Sequence, residues 1–263
     1  MKSRHIVSIA VLGALLFFGI GWSQHFSGPL LSEPTAKATA ATPVAKSVTN
    51  EATTEPASAM AVSNHVEAAA PAMPAANPAP QAFNPADVDP HKAFGSKSAP
   101  IVMEVFSDFQ CPACKQLYKT TNQPLLDNYV HTSKVYLVHR DFPLPMHAYS
   151  RVAARYVRAA AQLGRAEQAE QALFQNQEKW EQTGDIDGTL AAVLSPADMT
   201  KIRAQAKGTA LDTVIDKDVA LGKIYNVNQT PTTIIHYKGQ TYPVVGVLSY
   251  DLLHQFLDQL LAQ

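Results

Sequence analysis

Two cysteines occur in the chain, three positions apart, in the stretch Phe106-Ser107-Asp108-Phe109-Gln110-Cys111-Pro112-Ala113-Cys114-Lys115. The run before them, Ile101 to Phe106, is apolar and partly β-branched and reads as a strand. The run after them reads as a helix, with Cys111 as its cap and Pro112 at its first position, where a missing N–H costs nothing. A strand that delivers C-x-x-C to the first turn of a helix places both sulfurs on one helical face. That is the arrangement of a redox dithiol. Zinc is the competing use of paired cysteines, but a structural zinc site usually takes about four ligands. The nine histidines include no H-x3-5-H pair to complete one, so no metal is expected. Two cysteines are also too few for a disulfide scaffold. Charge is balanced, 21 basic against 22 acidic residues, which argues against a nucleic-acid partner. No Gly-rich phosphate loop is present and no cofactor is expected.

Ahead of this unit the 263-residue chain changes character twice. Residues 1–24 read as a signal peptide or signal anchor. Lys2 and Arg4 make a short positive region, and Ile6 to Trp22 is uncharged and mostly apolar. The run lies between the length of a cleaved signal and that of a membrane span. Gly21-Trp22-Ser23 would make a poor cleavage site. The basic residues place the N-terminus in the cytoplasm and the remainder of the chain outside it. Residues 25–88 are rich in Ala, Pro and Thr with few aromatics, and are expected to form a disordered linker. Around 60 flexible residues reach on the order of 40 Å. Such a tether serves a purpose only if the first segment stays in the membrane, which favours an anchor over a cleaved, soluble form.

The folded domain is expected over residues 89–263, as an α/β fold. Lys134 to His139 is a second strand after the C-x-x-C helix, which runs toward Tyr129 with a bend at Pro124. A helical insertion comes next, over about 146–225. Val152, Ala153, Tyr156, Val157 and Ala160 recur at helical spacing, and Ala169, Ala172, Leu173 and Trp180 give a second face. Ser195-Pro196-Ala197-Asp198 is a helix start. The period then changes. Thr232 to Tyr237 and Thr241 to Val245 read as a strand pair about a Lys238-Gly239 turn, with Pro243 marking an edge or bulge. Ser249 caps a last helix, whose buried face is Leu252, Leu253, Phe256, Leu257, Leu260 and Leu261.

Taken in order, Ala99-Pro100-Ile101-Val102, Phe106 to Cys114, His139-Arg140-Asp141-Phe142-Pro143-Leu144, Ala172-Leu173-Phe174 and Thr230-Pro231-Thr232 resemble the DsbA-like thiol–disulfide oxidoreductases over roughly residues 89–263. The resemblance implies a thioredoxin fold carrying an inserted helical domain. It implies exchange of disulfides with exported proteins at the Cys-Pro-Ala-Cys site and a membrane redox partner of the quinone-linked type. It also implies a cis Pro231 beside the dithiol, with Thr230 offering backbone groups to an extended substrate chain. Strongly oxidising members of the family often carry His where this chain has Ala113. The family's acid beneath the buried cysteine falls at Val105, and Glu104 lies one residue earlier, on the opposite face of the strand.

From the residues themselves, Cys111 at the helix N-terminus is the expected attacking thiolate. Cys114 is the resolving sulfur, and Pro112 and Ala113 between them tune the pair. Glu104 is left open between a surface charge at the strand edge and a relay for the Cys114 proton. Asp108 shapes the turn, Lys115 is a solvated charge, and Trp180 and Tyr156 belong to the core. The histidines form no constellation. An oxidase is the leading reading, with reductase and isomerase open. The alternatives are a tethered thiolate metal-binding module for a soft ion such as Cu(I), and a non-catalytic peptide-binding chaperone.

Overall fold

The computed structural model describes residue 75, residues 77–78 and residues 81–263. The expected hydrophobic segment, 1–24, and most of the expected linker, 25–88, lie outside the described residues. Among the described residues no helix is long and apolar enough to cross a membrane.

Six strands, β1 (Asn77–Pro78), β2 (Ala93–Phe94), β3 (Ile101–Ser107), β4 (Val135–Asp141), β5 (Thr232–Tyr237) and β6 (Gln240–Val245), form one sheet in the order β1-β6-β5-β3-β4-β2. β3 and β4 are parallel from Ile101↔Val135 to Ser107↔Asp141, because a helix crosses between them. β5 lies antiparallel on the other side of β3, from Ile101↔Tyr237 to Phe106↔Thr232. Every residue of β4 and β5 is buried, as expected for central strands covered on both faces. Lys238 and Gly239, both with positive φ, make the tight turn into β6. β1 covers β6 only at Thr241 and Gln240. Pro243 therefore sits where, among the described residues, β6 has no outer partner to miss its N–H.

The crossover starts as α1 (Pro112–Leu117) with Cys111 at the N-cap. The single helix expected to reach Tyr129 is instead composite. Wide π turns occupy Tyr118–Asn122 and Leu126–Val130, on either side of the short α2 (Gln123–Leu125). Pro124 has no N–H for the turn behind it. The looser turns around it carry the chain past that gap without breaking the rod. One sheet face packs these turns and the last helix, α9 (Tyr250–Leu261), over Met103, Val105, Leu137, Leu253 and Leu257. Leu252 and Leu261 lie at the margin, so α9 buries a narrower stripe than the six residues expected.

The insertion comprises α3 (Ser150–Ala161), α4 (Ala166–Gln175), α5 (Gln177–Thr183), α6 (Ile186–Ala191), α7 (Pro196–Ala206) and α8 (Asp212–Ile224). α8 crosses the second sheet face beside Phe106, Phe142 and Tyr225. It fits closely there because Gly222 has no side chain. A Cβ at that point would lie 2.6 Å from the Phe142 ring. The other helices enclose Ala153, Val157, Leu173, Trp180, Leu190 and Ile202, and the same core takes in Phe109, Cys111 and Cys114. The insertion thus packs directly on the dithiol. Ala169, Ala172, Leu173 and Trp180 are all buried, though the chain breaks at Asn176 and divides them between α4 and α5. Regular structure also begins ahead of Asp89. Asn84 caps a 3-10 turn at Pro85–Asp87, and the Asp87 carbonyl accepts from Arg140 at 2.6 Å. Polar bonds hold this stretch, and composition does not register them.

Candidate active site

Cys111 and Cys114 approach to 3.5 Å as a dithiol, both buried. Their environments differ. Cys111 opens α1, where the first backbone N–H groups have no partner within the helix. Its thiol is drawn down to about 5, first by the hydrogen bond from Cys114. Burial opposes this, while Thr230 and the backbone N–H groups of Cys114 and Ala113 add to it. Cys114 is pushed far upward, by its own burial and then by Cys111 beside it. Its sulfur accepts from the Asp108 N–H at 3.4 Å. One sulfur is arranged to ionise and the other to keep its proton.

The turn before β5 completes the mouth. The Thr230–Pro231 peptide bond is cis. The Thr230 carbonyl accepts the Cys111 thiol proton at 3.3 Å. The Thr230 hydroxyl is buried without a hydrogen-bond partner. Pro112 and Ala113 lie within the first turn of α1, between the two sulfurs. The structure therefore brings Cys111, Pro112, Ala113, Cys114, Thr230 and Pro231 to one place.

Side chains behind this mouth hold the loop. Asp108 accepts from Gln110 N (2.7 Å), from Leu144 N (2.7 Å) and from the Ser150 hydroxyl, and its Oδ2 lies 2.8 Å from His147 Nδ1. It binds the segments after β3 and β4 to the start of α3, which is more than shaping one turn. Gln177 of α5 donates to the carbonyls of Phe109 (2.7 Å) and Cys111 (3.1 Å). Lys115 reaches Glu178 at 2.6 Å at the surface. Trp180 is a core residue whose indole donates to the Leu173 carbonyl. Tyr156 is half-buried, with its hydroxyl on Asp187.

Glu104 is not a surface charge. It is fully buried on the face of β3 away from Val105. Arg140 donates to it through Nε (2.8 Å) and Nη2 (2.5 Å), and His236 Nε2 lies 2.8 Å from its other oxygen. Burial works against the Glu104 carboxylate, but His236 and Arg140 outweigh it and hold it below its ordinary value. Arg140 continues to Asp218 (3.0 Å), and Arg158 joins Asp218 to Asp141. Burial lifts Asp218 to about 6 in spite of the two guanidinium groups. Alternation along β3 explains the separation: Val105 faces Cys114, so its neighbour Glu104 faces α8.

A second buried cluster lies on the dithiol's side of the sheet. Lys92 Nζ is 2.5 Å from Glu170 Oε1, and His139 Nδ1 is 2.6 Å from Glu170 Oε2. No spacing in the sequence could have joined these three, which come from a turn, from α4 and from β4. Among the described residues no group of three or more His, Cys, Asp or Glu could hold a metal ion.

The strand run β6-β5-β3-β4, with a dithiol at the N-terminus of the crossover helix and a cis proline facing it, is a thioredoxin-like arrangement. The sequence profile of the thioredoxin family matches residues 87–258, and the chain belongs to that family. Comparison with curated proteins found no match. Solved structures share the fold. A thioredoxin-like oxidoreductase from Silicibacter pomeroyi superposes with a TM-score of 0.57 at 23% identity, covering 69% of this chain and 99% of that one. Wolbachia pipientis α-DsbA1 gives 0.55 at 17% identity, covering 65% and 90%. Oxidised BdbD from Bacillus subtilis gives 0.55 at 19%, covering 65% and 93%. At these identities the shared feature is the fold.

Proposed function

We propose that the chain is a DsbA-like protein thiol–disulfide oxidoreductase, which oxidises exported proteins outside the cytoplasm. The observation that carries this is the inequality of the two sulfurs. Cys111 sits near 5 at a helix N-terminus, and burial drives Cys114 upward. A low-pKa sulfur is largely thiolate at neutral pH and is a good leaving group. The oxidised site receives a substrate thiolate at Cys111. The Cys111–Cys114 bond breaks, and a mixed disulfide forms at Cys111. A second substrate thiolate then attacks the substrate sulfur of that bond, releasing Cys111 as its stable thiolate. Attack by Cys114 on Cys111 reverses the first step. Thr230 and Pro231 flank Cys111 and offer backbone to an extended substrate segment. When Cys111 ionises, it no longer donates to the Thr230 carbonyl, and the buried Thr230 hydroxyl can turn to the anion. Pro112 and Ala113 set the potential, and Ala113 supplies no imidazole to raise it.

Location is inferred from the first 24 residues. A basic, then apolar, segment ahead of a long Ala/Pro/Thr-rich stretch fits a domain tethered to the outer side of the inner membrane. There a quinone-linked membrane partner would re-oxidise Cys111–Cys114. The test is the reduction potential of the couple, by equilibration with glutathione. A value toward about −120 mV supports the oxidase, and one toward about −270 mV makes the protein a reductase instead. Failure to form the Cys111–Cys114 disulfide at any poise overturns the exchange reading and favours a metal-binding module.

A further inference from the structure

Behind the dithiol lies a small cavity of about 20 Å³. Its lining includes Cys114, Tyr118, Lys92, His139 and Glu170, from five different segments. The volume is room for one water molecule, which needs polar partners around it. Three buried side-chain polar atoms lack a hydrogen-bond partner among the described residues, and two of them, His139 Nε2 and the Tyr118 hydroxyl, belong to this lining. Gln123 acts on the Tyr118 hydroxyl only from outside hydrogen-bonding geometry. Native proteins seldom leave such atoms unsatisfied and commonly use buried water to meet them.

The other nitrogen of His139 fixes its tautomer. Burial resists the Glu170 charge, but the His139 ring and the Lys92 ammonium outweigh it and hold that carboxyl at about 2. Glu170 is therefore an acceptor, and His139 Nδ1 donates to it. In the tautomer that donates from Nδ1 the lone pair lies on Nε2, the ring nitrogen without a partner. Asp141, 3.4 Å from Lys92, completes the charged lining, and Phe94 packs against the ring at 5.1 Å. The strand beneath Cys114 contributes Val105 and Ser107, whose hydroxyl favours the Cys114 anion against burial, and no carboxylate.

We propose that His139, oriented by Glu170, exchanges the proton of Cys114 through one water held in this cavity. This rests on the exchange reading above. When Cys114 attacks a mixed disulfide at Cys111, the Cys111–Cys114 bond forms and the bond from Cys111 to the substrate sulfur breaks. The substrate sulfur leaves with the electron pair. The Cys114 proton passes to the water, which gives one of its own to Nε2. In the reverse direction Cys114 keeps the electron pair of the broken bond and takes the proton back by the same route. Burial makes Cys114 a weak acid, so a local acceptor matters more for it than for Cys111.

The test is stopped-flow reaction of the oxidised full chain with glutathione. Glutathione attack at Cys111 and expulsion of glutathione by Cys114 are resolved as separate steps. His139→Gln keeps a donor for Glu170 but removes the base. Expulsion and its reverse, the glutathione attack that frees Cys114, are expected to fall together by about 100-fold, with expulsion becoming proportional to hydroxide concentration, while alkylation of Cys111 in the reduced chain, which moves no proton at Cys114, changes less than about twofold. Tyr118→Phe removes a partner of the water at nearly constant volume and is expected to slow expulsion and its reverse alike, roughly three- to tenfold, again sparing Cys111 alkylation. If His139→Gln does not fold, the Tyr118→Phe result decides. Unchanged expulsion, or slowing of expulsion matched by equal slowing of Cys111 alkylation, overturns the proposal. A wild-type chain that forms no mixed disulfide at Cys111 overturns the exchange reading, and the proposal with it.

Discussion

The depressed Cys111 thiol has an identifiable first cause, the hydrogen bond it receives from Cys114, and Cys114→Ala removes that cause alone. A hydrogen bond from a neutral donor to a charged acceptor is worth about 1.5–3 kcal/mol net. One pKa unit corresponds to about 1.4 kcal/mol. Loss of the bond should therefore raise Cys111 by about one to two units, to a midpoint of about 6–7. The N–H groups of Ala113 and Cys114 and the contact with Thr230 remain, so the midpoint should stay below that of an ordinary thiol. Cys114→Ser keeps a hydroxyl donor and should shift it less. The assay is the pH dependence of Cys111 alkylation, checked by the ultraviolet absorbance of the thiolate. In the Cys114→Ala chain Cys111 is the one remaining cysteine, so the reading is unambiguous. A midpoint equal to that of the wild type would refute the reasoning and assign the whole effect to the helix N-terminus and Thr230.

Stability should separate the redox forms by pH. A thiol whose folded value, about 5, lies below its unfolded value of about 8.5 stabilises the fold above the latter and loses that contribution as pH falls through the former. The reduced chain should thus gain about 1–3 kcal/mol relative to the oxidised chain between about pH 5 and pH 7, read from paired denaturant titrations. Glu104→Ala leaves the buried Arg140 short of its principal partner and should cost about 3–5 kcal/mol in a thermal melt. It should not alter the Cys111 titration, since Glu104 is on the far face of β3. Gly222→Ala forces a Cβ against the Phe142 ring and should cost about 1–3 kcal/mol. Gly208→Ala, with its nearest neighbour atom at 3.9 Å, should lie within about 0.5 kcal/mol of wild type.

The local signals in the sequence proved sufficient wherever one element decides the outcome. Ile101–Phe106, Pro112 after Cys111, Ser195, Lys238-Gly239 and Ser249 each mark a boundary that the chain uses. The dithiol was legible for the same reason, because its spacing and its place on a helix are both local. What was not legible depends on segments far apart in the chain. Glu104 looks like an edge charge until β4, β5 and α8 bring Arg140, His236 and Asp218 around it. Lys92, His139 and Glu170 are ordinary polar positions within their own segments. Only the packing of the insertion onto the sheet turns them into a buried cluster. The π turns about Pro124 escaped notice because helical periodicity does not distinguish a widened turn from a regular one.

The placement of β3 between β4 and β5 has a consequence for synthesis. One neighbour comes almost at once after it in the chain, while the other comes only after the entire helical insertion. A ribosome therefore delivers Cys111 and Cys114 long before it delivers Thr230, Pro231 and the strand that completes the sheet. An unfinished chain has its two thiols but neither the loop that faces them nor a closed core beneath them. The site is complete only once β5 has joined the sheet, so a product truncated before Thr230 lacks the loop that faces the dithiol.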